Sequence, residues 1–163
     1  PVKKVEDLGG TTVITTTRGE KITAAAVIVA LPMNVLPHLE FSPPLDPLVV
    51  EAGLETHAGR GTKVYAKVKG HVTKNGKSTA LGHAELPLTL AFTYAIEKDH
   101  TILLGFGTDS SKLDVTDEQA VQAALRVFYP HAEVESCAGY DWTHDPYSRG
   151  TWCTYRPHWF QRC

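Results

Sequence analysis

Residues 61 to 69, GTKVYAKVK, alternate strictly, with Val64, Ala66 and Val68 on one side and Lys63, Tyr65, Lys67 and Lys69 on the other. A period of two belongs to extended backbone, whose successive side chains point to opposite faces; a helix would scatter these residues around its circumference. The segment is therefore a strand with one plainly apolar face. That face must be covered, so the fold has to provide neighbouring strands and a second layer.

The rest of the chain supplies both. VKKVEDL, the glycine pair Gly9-Gly10 and TVITTTRG follow hairpin grammar, and Val27, Ile28 and Val29 read as a strand apolar on both faces that Pro32 ends. Asp46-Pro47 offers an N-cap and a first-turn proline, which predicts a helix over 47–56. Asn75-Gly76 marks a turn, and LTLAFTYAIEKDHTILLGFG reads as two strands joined near Lys98-Asp99. Thr116 and Gln119 have capping-box spacing, with Val121, Ala124, Leu125 and Phe128 at helical intervals behind them and Pro130 as the stop. Asp117 and Glu118 then sit where the helix dipole favours acids. A last strand is expected around Glu133 to Trp142. The fold class is α+β: one mixed, mainly antiparallel sheet with two principal helices packed on it, forming a single domain over residues 1–163. No repeat or linker interrupts it.

Composition narrows the function classes. The 163 residues are 42% hydrophobic and 21% charged, and no run nears the roughly 20 apolar positions of a membrane helix. The formal charge is −2 with no basic stripe, so neither membrane nor nucleic acid is an expected partner. Three cysteines, Cys137, Cys153 and Cys163, lack CxxC spacing and suggest a reducing, cytoplasmic setting, with Cys137 as a small core residue. GxGxxG, the P-loop, HExxH and GxSxG are all missing from the sequence. His144 and Cys153 would join a metal site only by tertiary accident, and none is expected. On pattern alone Lys63 reads first as a solvated lysine on a polar face with Lys67 and Lys69, and second as a functional one. The aromatic group Tyr140, Trp142, Tyr147, Trp152, Tyr155 and Trp159 suits core, interface or cavity equally.

Four blocks in order resemble the substrate domain of flavin-dependent amine oxidases, the group containing monoamine oxidases and L-amino-acid oxidases. Pro1-Val2 with KKVEDLGGTTVITTTRGEKITAAAVIVALP is similar to the passage that reaches the adenine end of FAD. VLPHLEFSPPL, residues 35 to 45, matches the segment after it. GTKVYAKV resembles the strand whose lysine holds a water near flavin N5, which gives that role to Lys63. YDWTHDPYSRGTWCTYRP, residues 140 to 157, resembles the passage lining the isoalloxazine ring.

The resemblance implies a cofactor contact at Val2 and Trp142, and Trp152 at one wall of an aromatic cage around the amine. Trp142, Tyr147, His144 and Asp145 join Trp152 in the substrate-binding set, and Tyr155 joins Lys63 as a catalytic candidate. Thr151 stands where animal monoamine oxidases carry the flavin-linked cysteine, so FAD would be non-covalent. The family's nucleotide-binding domain is expected to be absent from these residues, and a partner segment, partner chain or homodimer would complete the cofactor site. The implied activity is oxidative deamination of a small-molecule amine or amino acid. Two other readings stay open: cofactor-free cyclisation or isomerisation of a hydrophobic metabolite by Lys63, His144, Asp145 or Tyr155, and a module that only binds.

Overall fold

A computed structural model describes residues 1–73 and 76–162. Its strands and helices run in the order β1 (Val2–Asp7), β2 (Thr12–Thr16), β3 (Lys21–Ala24), β4 (Glu40–Ser42), α1 (Pro47–Glu55), β5 (Thr62–Lys69), β6 (Thr79–Leu81), β7 (Leu90–Ile96), β8 (His100–Gly107), α2 (Glu118–Arg126) and β9 (Val134–Gly139). The class is α+β. The strands divide between two sheets, ordered β3-β2-β1-β4 and β6-β7-β8-β5-β9, where one was expected. Two compact units follow the same division: Pro1–Ala58 with Asp145–Cys163, and Gly59–His144.

In the first unit β1, β2 and β3 form an antiparallel meander and β4 joins β1 in parallel. Gly9 and Gly10, at φ +74° and +112°, make the β1–β2 connection that the glycine pair predicts. Asp46 caps α1 by accepting from the Leu48 N–H at 2.8 Å. This helix packs on a 3-10 helix over Met33–His38 instead of on a sheet. Gly53 permits the approach, since a Cβ there would lie 2.5 Å from Pro37 Cγ. A second 3-10 helix, Pro157–Gln161, closes on the far end of α1. Trp159 is buried, its Nε1 donates to Glu55 at 2.6 Å, and Arg162 makes a bidentate pair with Glu51 at 2.6 Å for both bonds. The Arg162 guanidinium holds the Glu51 carboxyl below its ordinary range.

The expected strand at Val27–Val29 is not formed. Ile28 is 92% exposed, and the stretch lines a shallow apolar cavity of about 320 Å³ with Val2, Val5, Ile14 and Leu39. Pairing with β2 ends at Thr12↔Ala24, and among the described residues no neighbouring strand offers 25–31 a ladder. An apolar pattern reports that a segment wants cover; only a partner backbone makes it a strand.

The second unit is a five-stranded antiparallel sheet with α2 on one face. Val64, Ala66 and Val68 meet Leu103, Ala91, Val121, Ala124 and Leu125 in the core, so the alternation of β5 faces as expected. Phe128 packs against this core from beyond the end of α2, and Cys137 joins it partly buried, its thiol pushed up by burial. The cap of α2 is Asp117 and not Thr116. The Asp117 carboxylate accepts from Gln119 and Ala120, whereas the Thr116 hydroxyl donates to Asp114 at 2.6 Å. A charged oxygen is the better acceptor for helix amides, which moves the start by one residue. β9 stops at Gly139, leaving Tyr140–Trp142 outside the sheet. The Asn75 half of the Asn75-Gly76 turn lies outside the described residues. Among the described residues no helix is long and apolar enough to cross a membrane.

Candidate functional site

The outward face of the five-stranded sheet carries the most informative candidate. Directly paired residues share a face, so Lys63↔Phe106 and Tyr65↔Leu104 place all four side chains opposite to the core. The Lys63 ammonium lies 5.0 Å from the Tyr65 ring centroid and 5.6 Å from that of Phe106. Tyr94 meets Tyr65 edge-on at 5.3 Å, and Phe92 stacks with Phe106 at 6.2 Å. Four rings and one cation therefore make a continuous aromatic floor. Lys67 and Lys69, on the same strand face, are engaged differently: Lys67 pairs with Glu135 at 2.9 Å and Lys69 with Glu133 at 3.6 Å, both across to the β9 side. The structure thus separates Lys63 from the lysines that it resembles by pattern.

Sequence reasoning missed Tyr65, Phe92, Tyr94 and Phe106 as site residues. Tyr65 was legible, because it shares the Lys63 face at i+2. The other three depend on strand register, which period-two patterns leave open.

Trp142 and His144 belong to the same unit. Trp142 is half exposed and packs on Tyr140 with ring centroids 4.6 Å apart. Asp141 organises the turn by accepting from the Thr143 and His144 amides and from His144 Nδ1 at 2.6 Å. Burial pushes the Asp141 carboxyl up, but those hydrogen bonds outweigh it and hold the group below its ordinary value. His144 is thereby engaged with Asp141. A polar cavity of about 320 Å³, lined by Thr62, Ser110, Asp114 and Asp141 among others, lies in this unit and contains none of the candidates.

Val2, Asp145, Tyr147, Trp152 and Tyr155 belong to the other unit, so the unit boundary falls inside the aromatic stretch between His144 and Asp145. Val2 and Tyr147 are brought together around an apolar cavity of about 590 Å³ with Leu31, Val35, His38 and Leu39. Asp145 forms a turn, its carboxylate accepting from the Tyr147 amide at 2.8 Å and its carbonyl from Arg149 at 2.9 Å. Trp152 and Tyr155 are 57% and 48% exposed on irregular backbone.

Residues 1–162 of the sequence match the family model for flavin containing amine oxidoreductases. The chain belongs to that family. Pseudooxynicotine dehydrogenase of a Pseudomonas species is 39% identical over 157 residues, which are 96% of this chain and 31% of that protein. Nicotine dehydrogenase of Pseudomonas putida is 33% identical over 156 residues, 95% of this chain and 32% of that one. The chain therefore spans about a third of the length of these relatives. Among solved structures, a putrescine oxidase variant superimposes with a TM-score of 0.81 at 19% identity, over 99% of this chain and 38% of that one. This last likeness shows the amine oxidase fold.

Proposed function

We propose that this chain forms the substrate-facing part of a flavin-dependent oxidoreductase acting on an amine that carries a flat apolar ring. The observation carrying this reading is the Lys63 ammonium held over Tyr65 and Phe106 on the outward sheet face, flanked by Phe92 and Tyr94. Flat rings orient a flat substrate and keep bulk water from it, at about 0.5–1.5 kcal/mol per aromatic pair. The two dehydrogenases named for pseudooxynicotine and nicotine support a ring-bearing amine as the substrate class.

Each residue then has a task. The floor of Tyr65, Phe92, Tyr94 and Phe106 seats the apolar ring. Lys63, with three N–H donors, fixes a water on that face. By the family resemblance, Trp152 with Tyr155 would contact the amine, and Trp142 and Val2 would help to hold FAD at its ring and adenine ends. Bound FAD would supply the hydride acceptor, non-covalently because Thr151 offers no thiol.

The residues fit the ring end of FAD better than its pyrophosphate. Exposed indoles suit a flat ring, but both α-helices already spend their first amides on their own acids: Asp46 takes Leu48, and Asp117 takes Gln119 and Ala120. A phosphate at either N-terminus would meet a carboxylate instead of free donors. The pyrophosphate therefore needs a nucleotide-binding portion beyond these elements, and the uncovered apolar stretch at 27–31 is suited to meet it. The comparisons lend no support to flavin-free isomerisation or to a pure binding module.

The test uses the chain joined to its nucleotide-binding portion. A ring-bearing amine should bleach the flavin absorbance under anaerobic conditions. Lys63→Met should slow reoxidation at least about tenfold with folding and flavin content unchanged. Normal reduction and reoxidation in that variant would remove Lys63 from its role, and no bleaching by any amine would sink the reading.

A further inference from the structure

Trp152 sits on an arc of chain whose two feet are fastened to a buried polar cluster of the same unit. Asn34, 1% exposed in the Met33–His38 helix, uses both ends of its side-chain amide. Its Nδ2 donates to the Arg149 carbonyl at 2.7 Å, and its Oδ1 accepts from the His57 backbone N–H at 3.0 Å. One residue thus joins segments 115 and 23 positions away. Leaving such a buried amide half satisfied is costly, so the three segments are tied together at Asn34.

The next residue reinforces the first foot. Gly150 is pressed so closely on the cluster that a Cβ would lie 2.6 Å from His57 Cε1 and 2.9 Å from Asn34 Nδ2. Arg149 holds a left-handed φ of +55°, which aims the chain into this approach. The second foot returns to the same loop: the Ala58 N–H donates to the Thr154 carbonyl at 2.8 Å, and Arg156 Nε donates to the Thr56 carbonyl at 3.2 Å. Between the feet, Thr151, Trp152 and Cys153 arc outward, and the Trp152 indole is exposed. A short arc with both ends fixed to a packed base has few ways to move its tip.

We infer that Asn34 is a positioning residue for Trp152, acting through the Arg149 carbonyl and the His57 loop and touching no substrate itself. Its effect on amine binding rests on the proposed placing of Trp152 at the amine wall; its effect on the arc does not.

The experiment uses the full protein, with its nucleotide-binding portion, labelled with 5-fluorotryptophan. The Trp152 fluorine resonance is assigned by Trp152→Phe and that of Trp142 by Trp142→Phe. Asn34→Asp keeps the shape and the acceptor for His57 but sets an oxygen against the Arg149 carbonyl. Gly150→Ala pushes the arc off the cluster while leaving Asn34 intact. Both should shift or broaden the Trp152 resonance and leave that of Trp142 in place. Both should also raise KM for the amine about tenfold, the equivalent of about 1.4 kcal/mol, with kcat within about twofold. A Trp152 resonance unmoved in both folded variants, even with a lowered Tm, overturns the inference and leaves Asn34 a structural residue. A moved resonance with unchanged KM, together with unchanged KM in Trp152→Ala, upholds the positioning and discards the amine wall.

Discussion

The two units bury their apolar residues to different degrees. In Gly59–His144, Val64, Val68, Leu88, Leu103, Val121 and Leu125 are fully buried in one cluster between the antiparallel sheet and α2, while Leu81 and Val127 stay exposed. In the unit of Pro1–Ala58 and Asp145–Cys163, the buried set includes polar Asn34 and His57, while Leu8, Ile22, Ile28, Leu54, Trp152 and Phe160 are exposed. One unit is built on a single apolar core; the other ties a four-stranded sheet and α1 to irregular segments and leaves more of its large apolar side chains exposed. Substitutions in the buried cluster and at the exposed apolar residues should therefore act differently on stability.

The largest effect should come from the sheet unit. Leu125→Ala removes a fully buried side chain from the α2–sheet contact and should cost about 3 kcal/mol in denaturant unfolding. A loss under about 1 kcal/mol would mean that the core is looser than its burial implies. Ile28→Asp comes next. In the chain joined to its nucleotide-binding portion it should cost about 2 kcal/mol, because a charge would be forced into a covered apolar surface. On the chain alone it should stay within about 0.5 kcal/mol. Equal effects in both settings would break the idea that this unit's surface is made to be covered.

Tyr94→Ala sharpens the view of the working face. It deletes the edge contact with Tyr65, worth about 1 kcal/mol, and should raise the amine KM about fivefold, whereas Lys67→Ala should leave KM unchanged. Equal responses would spread recognition over the whole face. The smallest effect concerns His57, whose ring is pushed below the ordinary value of 6.5 by burial. The unfolded chain takes up the proton first, so this contribution to stability is full above pH 6.5 and declines as pH falls toward the folded value. The slope is at most about 1.4 kcal/mol per pH unit. Thermal melts between pH 7.5 and 5.5 should show the decline, and His57→Gln should flatten it.

Local pattern determined a good deal of this protein. The alternation of 61–69, the glycine hairpin at 9–10, the Asp46-Pro47 helix start and the spacing of Val121, Ala124 and Leu125 act within a few residues, so each was readable directly. The four ordered blocks likewise led to the family. Tertiary structure decided what depends on distant partners. Val27–Val29 has a strand's composition and no ladder, and the strands parted into two sheets. Lys63 was separated from Lys67 and Lys69 by what stands beside each: the Phe106 ring across on β8 and its own strand's Tyr65 for the first, acids on the β9 side for the others. Asn34 carries no local signal, since its partners lie 23 and 115 positions away. Hydrophobic period and turn chemistry are properties of neighbours in sequence, whereas register, pairing and buried polar satisfaction are properties of neighbours in space.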